Sequence, residues 1–137
     1  MEPKSQGRVN AIVAMIRVAD VERSVAFYRL LGFQVGHRVP PTGPMGWAWL
    51  YSPEAPDWKR GPNVMLTCAE CPIDADAQQV LFYLYAHDLQ LLRTTLLAEG
   101  LTVSEITHPE YLPNGECQVK DPDGYTLMIA QSAADTP

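Results

Sequence analysis

The chain has 137 residues, 47% of them hydrophobic and 19% charged, which excludes a disordered protein and supplies one ordinary domain or two small joined modules. Sixteen Asp and Glu against ten Lys and Arg leave a net charge of −6 and a pI near 4.9. That balance argues against a nucleic-acid backbone as the main partner and favours neutral or cationic ligands. No run of about 18 apolar residues suggests a membrane span, and the polar Met1–Gly7 stretch lacks the apolar core of a secretory signal, so a cytoplasmic protein is the expectation.

In chain order, Ala11–Val18 is a short apolar run of the kind that forms a buried strand. Asp20 offers an N-cap, Val21, Val25 and Tyr28 recur at helical spacing, and Leu30 and Leu31 extend the apolar face. Gly32 can end this helix in the left-handed conformation, giving a predicted helix at Val21–Leu31. Strand-like stretches follow at Phe33–Val39, Trp47–Tyr51 and Asn63–Cys68, separated by Pro- and Gly-rich segments. Cys68 and Cys71 form a Cys-x-x-Cys pair, and Cys117 stands alone. No second pair completes a zinc site, and the pair does not precede a helix as a thioredoxin-like motif would.

The same grammar then restarts. Val80–Ala86 is an apolar, aromatic-rich run, Asp88 is again an N-cap, and Leu89, Leu92 and Leu96 fall at helical spacing before Gly100. Asp20 to Gly32 and Asp88 to Gly100 each span 12 positions, and the two blocks are offset by 68. A helix at Leu89–Glu99 is predicted, followed by strands at Leu101–Ile106, Cys117–Lys120 and Tyr125–Ala130. Asp121-Pro122-Asp123-Gly124 reads as a tight turn joining the last two.

The organisation is an α+β chain of two βαβββ modules, at about 9–70 and 79–131. One helix covers one face of a four-stranded sheet and leaves the other uncovered. Two such curved mixed sheets are expected to form a half-barrel around a pocket.

The stretch Arg17-Val18-Ala19-Asp20-Val21-Glu22-Arg23-Ser24-Val25-Ala26-Phe27-Tyr28, with Leu31-Gly32-Phe33, resembles the vicinal oxygen chelate superfamily. So does Asp121-Pro122-Asp123-Gly124-Tyr125-Thr126-Leu127-Met128 at the other end. That superfamily includes glyoxalase I, extradiol dioxygenases, fosfomycin resistance enzymes and bleomycin resistance proteins, and the resemblance covers about residues 9–131. It implies a homodimer and, in the catalytic members, a divalent metal held by His, Gln or Glu at four inward strand positions. Here those positions are Val13, Leu81, Met128 and, less securely aligned, Met65. None of the four gives a hard cation an oxygen or imidazole ligand, so no metal and no other cofactor is expected. His37, His87 and His108 do not restore a chelate from their places in sequence.

Alternation along the strands gives the face that would line a pocket. Val13, Met15 and Arg17 share it, as do Leu81, Tyr83 and Tyr85, then Thr126, Met128 and Ala130. Met65 is flanked there by Asn63 and Thr67, and Glu116 shares a phase with Gln118. Trp47, Trp49 and Tyr51 also share a face, which the sequence alone does not anchor. Aromatic and thioether walls suit flat or cationic ligands through stacking and cation–π contacts. Glu116, turned inward, needs a partner, a ligand or water, and Arg17 is one candidate partner.

The ligand-binding set is therefore Trp47, Trp49, Tyr83, Tyr85, Glu116, Arg17 and Met128. No catalytic residue is assigned, since no nucleophile–base arrangement and no Gly-rich phosphate loop occurs. The leading reading is a metal-free binder, resembling bleomycin resistance proteins, that sequesters an aromatic or cationic compound. The alternative is a glyoxalase- or dioxygenase-like metalloenzyme using His37 and Glu116, and Glu116 is also the candidate general base of a metal-free enzyme. A third reading is a module whose pocket has collapsed. Nucleic acid and membrane are not expected partners.

Overall fold

The structure is a computed structural model that describes Gly7, Val9 and residues 11–132. The expectation made for Met1–Gly7 lies outside the described residues except at Gly7. The chain divides into two compact units, Met1–Glu70 and Cys71–Pro137, and the fold is α+β with one mixed open sheet in each.

In the first unit, β1 (Met15–Val18) leads into α1 (Val21–Arg29), then β2 (Gln34–Val39), β3 (Trp47–Tyr51) and β4 (Asn63–Cys68). Their order across the sheet is β1-β4-β3-β2, with β1 and β4 parallel and the other pairs antiparallel. Asp20 caps α1 by accepting the Arg23 N–H at 3.2 Å. The helix buries Val21, Ser24, Val25, Phe27 and Tyr28, and Ile16, Val18, Ala48, Leu50, Val64 and Leu66 form the buried phase of the strands. β1 starts four residues later than the apolar run suggested, so Val13 lies in the segment before it, where Ala14 O still accepts the Met65 N–H at 2.9 Å. Apolarity alone does not mark where a strand's regular ladder begins.

In the second unit, β5 (Leu81–Ala86) leads into α2 (Leu89–Ala98), then β6 (Glu116–Lys120) and β7 (Thr126–Gln131). The order is β5-β7-β6, with β5 and β7 parallel and β6 antiparallel to β7. The repeat holds at the level of caps. Asp88 accepts the Leu91 N–H at 3.0 Å, and both helices close on a glycine of positive φ, Gly32 and Gly100. Phe33 N–H reaches Tyr28 O, and Leu101 N–H reaches Leu96 O, both at 3.2 Å.

The strand expected at Leu101–Ile106 is not regular. Isolated bridges, Val103 to Val119 and Thr107 to Glu116, and a Ser104 N–H to Gln118 O bond at 2.9 Å join this segment to β6. Four steps along one chain face three along the other, which is a bulge. The Ser104 hydroxyl takes the Gln118 N–H at 2.8 Å, a side-chain oxygen substituting for a ladder carbonyl. That substitution is why an apparently strand-like sequence does not continue the ladder.

The Asp121–Gly124 turn is closed by Gly124 N–H to Asp121 O at 3.0 Å, while Asp121 Oδ1 accepts the Asp123 and Tyr125 amides at 2.9 Å each. Gly124 has φ +86°, and a Cβ there would stand 2.5 Å from the Ala75 carbonyl oxygen. Among the described residues no helix is long and apolar enough to cross a membrane.

Gly100 has a similar φ of +83° with nothing near its missing Cβ, so it separates backbone strain from crowding. Gly100→Ala is expected to cost about 1–2 kcal/mol, the left-handed term alone. Gly124→Ala should cost more, because a backbone carbonyl must also move. Urea unfolding of the two variants checks the order, and equal losses would show that the turn yields freely.

Candidate functional site

Each sheet has one face against its helix and one away from it, and the second face carries the candidate side chains. Strand register fixes which residues share it. In the first unit, Val39, Trp47, Thr67 and Arg17 form one row, and His37, Trp49, Met65 and Met15 the next. Gln34, Tyr51 and Asn63 form the third. The face of Trp47, Trp49 and Tyr51 is thus anchored as that of Met65 and Arg17, opposite buried Ala48 and Leu50.

The rings on this face are held in place. Trp49 stacks on Tyr51 with centroids 5.3 Å apart and planes 10° from parallel. Trp47 meets His37 edge-on at 5.6 Å. The register of β2 shifts between Val35 and His37, at Gly36, where a Cβ would lie 2.5 Å from the Trp49 ring. A strand glycine here is the space the indole occupies. Trp49 Nε1–H donates to Asn63 Oδ1 at 3.2 Å, and the Asn63 amide donates to Trp58 O and Gly61 O at 3.0 and 3.1 Å. Asn63 therefore ties the indole to the turn around Trp58–Arg60.

In the second unit, the rows are Leu81, Thr126 and Lys120; Tyr83, Met128 and Gln118; and Tyr85, Ala130 and Glu116. Cys117 and Val119 take the helix side and are buried. Glu116 is only 5% exposed, which is costly for a carboxylate unless its oxygens are satisfied. Tyr83 Oη donates to Glu116 Oε1 at 2.7 Å, reaching diagonally across β7, and Tyr111 Oη donates to Oε2 at 2.9 Å. Within its own unit the partners of Glu116 are phenols. Tyr83 and Tyr85 rings lie 6.4 Å apart, both exposed.

Hydrogen bonding to Glu116 pushes both phenols above the ordinary tyrosine range, with desolvation and the carboxylate's charge adding to it. Ionising either phenol would place two anions at hydrogen-bond distance.

Of the residues singled out from sequence, the structure brings Tyr83 onto Glu116, pairs Met128 with Tyr83, and sets Trp47, Trp49 and Arg17 on one face. Sequence reading missed Tyr111, Asn63 as a ring anchor, and Gly36. Gly36 had a usable signal, a glycine inside a strand pattern. Tyr111 had none, because its role depends on the fold of the 108–115 loop. That loop is held by the Thr107–Glu116 bridge and by bonds such as His108 Nδ1 to Pro113 O at 3.0 Å.

The donor set does not fit the metal of the catalytic relatives. Val13 precedes β1, Leu81 is exposed on β5, and Met65 and Met128 are half-buried thioethers. Among the described residues no three His, Cys, Asp or Glu side chains group so as to hold a metal ion. His37 lies exposed on β2 against Trp47. Cys68 and Cys71 are free and exposed, and Cys117 is free and buried, with burial pushing its thiol upward.

The profile of the Glyoxalase/Bleomycin resistance protein/Dioxygenase superfamily matches residues 8–129. Among solved structures, a bleomycin-binding protein complexed with bleomycin is similar at 18% identity, covering 91% of this chain and 100% of that one with a TM-score of 0.69. A bleomycin resistance determinant encoded on the transposon Tn5 is similar at 17% identity, covering 90% and 98%, also with a TM-score of 0.69. An antibiotic-binding protein from Streptomyces sp. CB03234 matches at 16% identity over 91% and 97%, again at 0.69. No curated protein matches the sequence.

Because the folded pKa of Tyr83 and Tyr111 is raised, the phenol–carboxylate bonds stabilise the fold fully below about pH 10, the unfolded tyrosine value, and are lost as pH rises above it. Ultraviolet titration at 295 nm should show two tyrosines ionising late. In Glu116→Gln both should return toward the ordinary range. Unshifted titration in the parent protein would show that the phenols do not hold the carboxylate in solution.

Proposed function

The chain belongs to the Glyoxalase/Bleomycin resistance protein/Dioxygenase superfamily, and we propose that within it this protein is a metal-free small-molecule binder. It takes up an aromatic or cationic compound and leaves it chemically unchanged. The observation that carries this reading is a substitution of chemistry at the strand positions where catalytic relatives hold metal. Met65 stands in register with Trp49, and Met128 with Tyr83. Thioethers beside aromatic rings offer polarizable contact surface rather than hard ligands.

The ligand class follows from the same faces. Stacked Trp49 and Tyr51, with Trp47, supply flat π surface, and each such contact is worth roughly 0.5–2 kcal/mol. Tyr83, Tyr85 and Glu116 supply phenol faces and a fixed negative charge, which together suit a cation. Arg17 and Met128 complete the proposed contact set. Two of the similar structures are named for binding bleomycin or an antibiotic. At this identity the likeness carries the fold, so the ligand class rests on the side chains. A homodimer in the cytoplasm belongs to the same reading. The exposed free thiols of Cys68 and Cys71 suit a reducing compartment, and light scattering tests the dimer.

A thermal-shift series with bleomycin, aromatic amines and their uncharged counterparts tests the proposal, since a ligand at 100 times its Kd adds about 2.7 kcal/mol. The shift should survive EDTA. Glu116→Gln should weaken a cationic ligand by roughly 1–3 kcal/mol and a neutral one much less, with the ligand-free Tm of the variant as the folding control. A shift that requires Zn, Mn or Fe and disappears on chelation would replace the binder with the metalloenzyme.

A further inference from the structure

The helix side of the second unit holds a groove of about 350 Å³ that takes no part in the faces described above. Leu89, Gln90 and Arg93 of α2 line it together with Glu105, Ile106, His108, Asn114 and Gln131. Its size is that of a small-ligand site. Two first-turn amides are already used: Leu89 N–H goes to Gln131 Oε1 at 2.9 Å, and Leu91 N–H to Asp88 Oδ1 at 3.0 Å. A fork of two parallel donors must therefore come from a side chain.

Arg93 is that side chain. It is only 19% exposed, and its Nε–H donates to Ser104 O at 2.8 Å, which fixes the plane of the guanidinium. The terminal nitrogens carry four further N–H donors. Among the described residues their one ionic neighbour is Glu105, 92% exposed, with 3.9 Å between Nη2 and Oε1. That is beyond hydrogen-bond distance. A half-buried guanidinium is thus held at Nε in the wall of the groove, with its terminal nitrogens outside hydrogen-bond distance of Glu105. The side-chain amides of Gln90 and Asn114 add N–H donors, and Leu89 and Ile106 add apolar wall.

We propose that this groove is a second binding site, for a small organic carboxylate with an apolar body, its carboxylate forked onto Arg93 in place of the loose Glu105 contact. A planar fork is what a carboxylate matches in two parallel bonds.

Titration of the intact protein with sodium benzoate, followed by amide and Arg Nε–H NMR shifts, tests this. Saturable shifts should appear at Arg93 Nε–H and at the amides of Gln90, Ile106 and Asn114, and benzamide should produce none. Arg93→Lys keeps the charge without the fork and should weaken benzoate about tenfold or more. Glu105→Gln removes the competing carboxylate from an exposed position and should tighten it several-fold. The proposal fails if the shifts do not saturate, if they map to Trp49, Tyr83 and Tyr85 instead, or if Glu105→Gln leaves the affinity unchanged.

Discussion

A single helix covers one face of a small sheet and no more. In each unit the covered face takes the aliphatic phase of the strands, Ile16, Val18, Leu50 and Leu66 in the first and Leu127, Ile129, Val119 and Cys117 in the second. Because side chains alternate, every residue committed to the helix commits its neighbour to the other face. Trp47, Trp49 and Tyr51 owe their position to Ala48 and Leu50, and Glu116 owes its position to Cys117. The candidate face is the complement of the core.

This coupling explains why much of the architecture was legible in the sequence. Asp20 and Asp88 sit at one end of their helices and Gly32 and Gly100 at the other, and each residue type is favoured there for a local reason that needs no tertiary information. The unread parts depended on contacts between distant segments. Ser104 has nothing in its neighbours to announce that its hydroxyl takes a ladder bond from Gln118. Tyr111 becomes part of the site only when the loop beyond Thr107 folds back. Asn63 looks like a strand-start residue until the Trp49 ring is placed beside it. The outer face could be listed for most strands but not for β3, because alternation gives two phases and only register against β4 chooses between them.

A site built for a divalent cation needs several oxygen or nitrogen donors converging at short range, held by further hydrogen bonds. Here the corresponding strand positions are aliphatic or thioether, and the buried carboxylate nearby is satisfied by two phenols. Both oxygens of that carboxylate accept from the phenols, and the ionisation of the phenols is opposed by it.

A fixed charge flanked by aromatic rings acts differently from a metal-bound electrophile. A carboxylate held in this way attracts a group that is already cationic, whatever then becomes of that group. The aromatic row of the first unit has the same character. Gly36 makes room for Trp49, Tyr51 stacks on it, and Asn63 holds its Nε1–H, so the indole is ordered before any ligand arrives. Side chains ordered in advance lose less entropy on binding than free ones would, on the order of 0.5–1.5 kcal/mol for each rotamer-rich group. The investment in Gly36, a conformationally costly residue inside a strand, is intelligible on those terms: it gives up local strand stability and gains a ring already in position.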